Sequence, residues 1–323
     1  MQRLATVFGG SGFIGRYVVR DLAVRGWLVR AAVRRPDEAL FLKTSGAIGQ
    51  ITPVAANIRD RGSVVRAIAG AEIVINLVGI LRESGRQKFQ SVQAEGARII
   101  AEEAAKAGVR HLVHISAIGA DTNSDSAYAR TKAAGEAAVR QAFPNATILR
   151  PSIVFGPEDS FFNRFARMAQ LAPALPLIGG GKTRFQPVYV GDVAAAVMKA
   201  IETPEAAGRT YELAGPKVYS FAELMRMVLQ ETGRKRPLVP LPFPIASAIG
   251  FVAQGATSAV NRLVPILPGP ALTTDQVRQL KRDNVPSAGS AGLTDLGITP
   301  TGVEAIIPTY LDRYRARSYY HRP

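Results

Sequence analysis

In the stretch SDSAYARTKAAGE, residues 124–136, Tyr128 and Lys132 stand four residues apart within a run of good helix formers. At that spacing the two side chains share one helical face. An ammonium about 4 Å from a phenol favours phenolate by roughly 4 kcal/mol at an intermediate effective dielectric, drawing a pKa near 10 toward neutrality. Such a pair can exchange a proton with a reacting oxygen. A second chemical stretch is GGSGFIG at 9–15, with Gly9, Gly12 and Gly15 at three-residue spacing. Missing Cβ atoms there permit a tight turn, approach of a pyrophosphate to backbone N–H groups, and close helix–strand packing. At the end of the next apolar run, AAVRRP places Arg34 and Arg35 where a site for an unphosphorylated ribose wants a carboxylate. Arginine–phosphate hydrogen bonds contribute about 1.5 to 3 kcal/mol each, enough to select a 2′-phosphate and hence NADPH over NADH; the alternative is that one or both arginines lie on a solvated turn near Asp37 and Glu38.

These residues need elements to hold them. Apolar β-rich runs LATVF (4–8), LVRAAV (28–33), ITPVA (51–55), IVINLV (73–78) and HLVHIS (111–116) alternate with helix-like segments near 13–25 and 94–107. That alternation predicts βαβ units: an α/β, Rossmann-like, doubly wound parallel sheet, with a smaller α+β C-terminal region. After residues 147–151 proline and glycine become frequent, as in APALPLIGGGK. The expected division is a nucleotide-binding domain over 1–200 and a docking region over 201–323, with 152–185 able to pack with the latter. LIGGGKT (177–183) lacks the first glycine of a phosphate-binding P-loop, because Pro176 stands there, and is expected to form a glycine hairpin. His114 alternates with apolar neighbours as a satisfied core histidine would, and Asp192 in VYVGDVA fits a helix N-cap or a domain-interface residue.

Composition narrows the classes. With 323 residues and 47% hydrophobic content the chain can fill a real core. It has no cysteine and three histidines, so no disulfide framework, cysteine nucleophile or metal centre is expected. The net charge of +15 is spread: residues 1–150 hold 21 Lys and Arg against 12 Asp and Glu, and residues 231–323 hold 11 against 6. A spread basic surface without interleaved aromatics suits anionic lipid or an acidic protein, and no nucleic-acid module is visible. MQRLATVFGG runs straight into the first apolar segment with no basic–apolar leader, which predicts a bacterial-type cytoplasmic chain.

GGSGFIG, NLVG (76–79), Ser116 after HLVHI, YARTK (128–132), RPSIVFGPED (150–159) and VYVGDVAAAV (188–197) occur in the order of extended short-chain dehydrogenases/reductases, which the chain resembles over its first two thirds. SAIGAD shortly before YARTKAAGE, AFPNATILRPS and FGPEDSFFNRFA (155–166) resemble an atypical branch, the alpha-subcomplex subunit nine family of respiratory complex I. That resemblance implies an accessory subunit with a tightly bound NADPH beside the quinone region, without established turnover. It also implies Ser116, Tyr128 and Lys132 as catalytic residues or, for the pair, as a clamp on the nicotinamide ribose. The expected cofactor contacts are Gly9, Ser11, Gly12, Phe13, Ile14, Gly15, Arg34, Arg35, Asn57, Ile58, Leu77, Val78, Gly79, Ile115, Tyr128, Lys132, Pro151 and Ile153. Asn76 and Gly79 are expected to contribute backbone, leaving side-chain identity largely free. Only eleven residues separate Ser116 from Tyr128. That is fewer than extended enzymes place there, which favours clamp over catalyst; an NADPH-dependent reductase or epimerase is the alternative.

Basic residues Arg234 to Arg236 precede an apolar segment, 237–269, carrying one charge, Arg262. Prolines break it too often for a spanning helix. On a helical projection Ile245, Ile249, Val252, Ala256, Ala259 and Leu263 form a stripe, which fits either a membrane or protein docking face or a core helix. The expectation is a peripheral chain on the cytoplasmic side of the bacterial inner membrane, contacting other complex I subunits, with neither nucleic acid nor metal.

Overall fold

The computed structural model describes residues 3–255 and 273–315. The chain divides into two compact units, Met1–Pro151 with Val190–Leu213 and Ser287–Thr299, and Ser152–Tyr189 with Ala214–Pro286 and Pro300–Pro323.

In the first unit, strands β1 (Leu4–Phe8), β2 (Leu28–Val33), β3 (Ile51–Ala55), β4 (Ile73–Asn76), β5 (His111–Ile115), β6 (Thr147–Pro151) and β11 (Thr210–Leu213) form one parallel sheet. Its order is β11-β6-β5-β4-β1-β2-β3. The doubly wound Rossmann-like class is thus present. Strand order reverses between β1 and β4, and in open α/β sheets ligands bind outside the carboxyl ends of the strands at such a point. The strands are apolar on both faces because helices cover both. Helices α2 (Arg61–Ile68), α3 (Glu95–Lys106) and α4 (Ala127–Ala142) share a core with Phe8, Val74 and Leu112, while α1 (Phe13–Val24) packs with α6 (Val190–Glu202). Pro53 sits in the edge strand β3, where a missing N–H costs no ladder bond. At the other edge the Glu212 N–H of β11 donates to the Ala291 carbonyl at 2.8 Å.

The second unit is α+β in makeup. Short strands pair as β7 (Val154–Phe155) with β10 (Val188–Tyr189), β8 (Leu175–Ile178) with β13 (Leu238–Leu241), and β9 (Arg184–Phe185) with β12 (Tyr219–Ser220). Helices α5 (Phe162–Leu171), α7 (Phe221–Glu231) and Val303–Leu311 enclose Phe155, Phe162, Phe221 and Ile307. The FGPED turn is locked by Asp159, whose carboxylate accepts from Tyr310 Oη at 2.5 Å and from the Gly156 and Asn163 N–H groups at 3.2 Å. Burial holds Asp159 above the usual aspartate range despite those bonds. The hairpin expected at LIGGGKT does not form. Gly179, Gly180 and Gly181 are all left-handed (φ +62°, +69° and +73°) and turn the chain so that β8 pairs with β13 and β9 with β12, not with each other.

Helix α8 (Phe243–Gly255) covers the start of the apolar segment. Its Ala246 is buried with Ile178 and Val277, whereas Ile245 and Ile249 are 51% and 39% exposed. The Val252 side chain and Ala256, Ala259 and Leu263 lie outside the described residues. Among those described, no helix is long and apolar enough to cross a membrane.

Candidate functional site

At the carboxyl end of β1, Gly9 is left-handed (φ +80°) and its carbonyl accepts the Gly12 N–H at 3.0 Å. A Cβ on Gly15 would lie 2.2 Å from that carbonyl, so the turn and α1 can be this close only with glycine there. Helix α1 begins after Gly12 with no side-chain cap and no acidic residue in its first turn. Its first N–H groups and positive dipole end are thereby left for an anion. This cradle fits the pyrophosphate of a dinucleotide, with Ser11, Phe13 and Ile14 alongside.

Arg34 and Arg35 follow β2 directly and both are exposed. Arg35 pairs with Glu38 at 2.6 Å. Among the described residues Arg34 has no carboxylate partner, which leaves its guanidinium for a phosphate. Beyond β3, Asn57 Oδ1 accepts from the Arg59 N–H at 3.2 Å, and Ile58 is buried against Gly96. Leu77, Val78 and Gly79 follow β4, and a Cβ on Gly9 would touch Val78, so the glycine loop and this turn lie side by side.

The Asn76 side chain is not free to vary as expected. Its Oδ1 accepts the Val78 N–H at 3.1 Å, fixing the turn, and its Nδ2 lies 3.1 Å from Nδ1 of His114, its register partner on β5. His114 is only half satisfied, because its Nε2 has no hydrogen-bond partner among the described residues. Burial first, and the Lys132 charge second, hold the imidazole pKa down to about 3, so it is neutral.

After β5 comes Ser116, 3% exposed, its Oγ without a hydrogen-bond partner among the described residues. Ser126 caps α4 by accepting the Ala129 N–H. In the first turn of that helix stands Tyr128, and its ring meets Phe89 edge-on at 5.8 Å. Lys132 is 4% exposed; its Nζ donates to the Ile115 carbonyl at 3.1 Å and lies 3.4 Å from where a Gly79 Cβ would be. Burial lowers its pKa to about 8, opposed by Glu136. Glu136 is tied to Arg150 at 2.6 Å, and Arg150 reaches Glu212 at 3.3 Å. Behind Tyr128, Gln93 donates to the Ile80 carbonyl at 2.7 Å and accepts from Thr131 Oγ1 at 3.1 Å, within a π-helical turn, Gln90–Ala94. π turns recur at functional sites.

Thus the first unit gathers the glycine loop, the 77–79 turn, Ile115, Ser116 and Lys132. Pro151 ends β6, its carbonyl taking the Ile118 N–H at 3.0 Å. Ile153 belongs to the second unit, where its N–H donates to Asn284 Oδ1 at 3.0 Å. Asp192 is in the first turn of α6, not at its cap. Sequence reasoning missed Phe89, Gln93 and Glu136; only the small Gly135, pressed on the Gln93 carbonyl, hinted at a close approach. Among the described residues no group of three His, Cys, Asp or Glu could hold a metal.

Residues 5–214 match the NAD dependent epimerase/dehydratase family. The chain is 38% identical over 321 residues to the mitochondrial NADH dehydrogenase (ubiquinone) 1 alpha subcomplex subunit 9 of Arabidopsis thaliana, covering 97% of this chain and 78% of that one. It is 31% identical to a ceramide reductase of Caulobacter vibrioides over 258 residues, 80% of each chain. Among solved structures, the triphenylmethane reductase of Citrobacter sp. complexed with NADP(H) superposes with a TM-score of 0.71 at 19% identity, covering 95% and 99% of the two chains, a likeness of fold alone.

Proposed function

From the premise that this chain belongs to the NAD dependent epimerase/dehydratase family, and within it to the alpha subcomplex subunit 9 family of NADH dehydrogenase, we propose that it is an accessory subunit of respiratory complex I with a structural NADPH. The carrying observation is the likeness to a complex I subunit along 97% of the chain. The uncapped start of α1 behind Gly9 and Gly15 supports a bound dinucleotide, and Arg34 supports the 2′-phosphate. In this reading Lys132 holds the nicotinamide ribose and Tyr128 is retained beside it. The chain docks peripherally on the cytoplasmic side of the bacterial inner membrane, near the quinone region, touching other subunits of the complex. Purification from detergent-solubilised membranes tests this. The expected result is co-elution with complex I subunits and release of NADPH or NADP on denaturation; elution alone, or recovery of NAD only, would count against it.

A second reading has one observation in its favour: Ser116, Tyr128 and a buried Lys132 lowered to about 8 are the parts of a carbonyl reductase. The ceramide reductase relative points the same way. Tyr128 would give its proton to a carbonyl oxygen steadied by Ser116, with NADPH supplying hydride when bound. NADPH oxidation coupled to loss of an added carbonyl compound, abolished in Tyr128→Phe, would put this reading first.

A further inference from the structure

At the end of β5 stand two buried side chains that each have one polar atom without a hydrogen-bond partner among the described residues. His114 is 2% exposed and Ser116 3%. Two residues apart at the end of a strand, they are directed to one face of the sheet. Asn76 decides the histidine's tautomer. Because its Oδ1 accepts the Val78 N–H, its Nδ2 must donate to His114 Nδ1, and the ring proton of the neutral imidazole therefore rests on Nε2. That Nε2–H, and Ser116 Oγ, have no hydrogen-bond partner among the described residues. Native proteins satisfy buried polar groups of this kind with ordered water. Lys132 reaches the residue between His114 and Ser116 from α4: its Nζ donates to the Ile115 carbonyl at 3.1 Å, which engages one of three ammonium donors.

We propose that His114 and Ser116 form a binding site for one internal water molecule lying against Lys132, and that through this water His114 is a positioning residue for the Lys132 ammonium. The water accepts from His114 Nε2–H and from Lys132, and donates to Ser116 Oγ. Ser116 is thereby left to donate its own hydroxyl proton outward, toward whatever oxygen the site receives. The titratable groups around Lys132 are Glu136, one turn along α4 and itself paired with Arg150 of β6, and His114 from β5, with Tyr128 one turn back on the same helix.

The role of Lys132 as ribose clamp rests on the nucleotide reading; the water site does not. The experiment has two arms on the full chain. In the first, nitrogen-15 NMR of nucleotide-stripped protein should show His114 as the Nε2–H tautomer at neutral pH, its ring proton in magnetisation contact with a bound water, and Lys132 titrating near 8. His114→Gln, which keeps an N–H donor, should leave that titration in place, and His114→Leu should lower it. In the second, NADPH release should quicken about tenfold in His114→Leu, the scale of one hydrogen bond to a charged group, while His114→Gln stays near wild type. An Nδ1–H tautomer, a ring proton without water contact, or both variants leaving the Lys132 titration unmoved would overturn the proposal. A wild type that binds no nicotinamide nucleotide sinks the nucleotide reading, and the first arm then decides the water site alone. Should His114→Leu fail to fold, the wild-type spectrum decides: a water contact at Nε2 upholds the site and its lack overturns it.

Discussion

Lys132 and His114 are both held in a medium that resists their charged forms, with opposite windows of consequence. For His114 the folded value of about 3 lies below the unfolded 6.5, so between those values the unfolded chain binds more protons and stability falls as pH falls. For Lys132 the window runs from about 8 to 10.5, and within it stability rises with pH. We therefore expect wild type to lose about 2 kcal/mol more than His114→Gln between pH 7 and pH 5 in denaturant melts, given about 1.4 kcal/mol per pKa unit. Equal losses would mean that His114 is protonated without penalty. The same side chains separate clamp from catalyst. Tyr128→Phe should leave the nucleotide bound, since its ring keeps the edge contact with Phe89, whereas Lys132→Ala removes a buried ammonium and should speed nucleotide loss. Arg34→Ala should weaken NADPH against NADH by roughly tenfold, the scale of one charge-assisted bond, read by competition binding.

At the scale of elements, two glycines set distances that no other residue allows. A Cβ at Gly15 would fall 2.2 Å from the Gly9 carbonyl, and one at Gly135 the same distance from the Gln93 carbonyl. Gly15→Ala should lift α1 off its loop and empty the nucleotide site while the sheet still folds. Gly135→Ala should push α4 away from the π turn, lowering the melting temperature and loosening Lys132 together; a variant with wild-type melting and retention would show that the helix pair yields. Only part of this was legible in the sequence. The first five strands could be read because parallel strands covered on both faces are continuous apolar runs, and GGSGFIG and YARTK mark their own helix starts. The π turn could not, since it depends on Gln93 meeting Gly135, 42 positions on, Ile80 and Thr131. Likewise the Asn76–His114 pair exists because β4 and β5 are in register, which no local pattern states. The three left-handed glycines of LIGGGKT looked like a hairpin because the partners of β8 and β9, in β13 and β12, lie far along the chain.

For the whole molecule, a net charge of +15 and an apolar helix face suggest two ways of holding a membrane or a hydrophobic subunit, and the structure changes their weights. Of the basic triplet, Arg234 and Arg236 are half-buried, and Arg236 spends its Nε on the Ala169 carbonyl; Lys235 is exposed. The electrostatic part is therefore small, about 1 kcal/mol per Lys or Arg near an anionic surface. On α8, Ile245 and Ile249 face outward one turn apart with Ala248 between them, while Ala246 packs inward. Covering two such isoleucines contributes a few kcal/mol at about 25 cal/mol per Å². Screening by salt weakens the first contribution and leaves the second. The protein is therefore expected to sediment with membranes, stay there through a high-salt wash, and leave in detergent together with complex I subunits. Ile245→Asp with Ile249→Asp should free it into the soluble fraction with its nucleotide still bound, because both side chains are outside the core and the glycine loop belongs to the other unit. A wild type that is soluble in gentle lysates, or a double variant that remains on the membrane, would remove the docking role from this face.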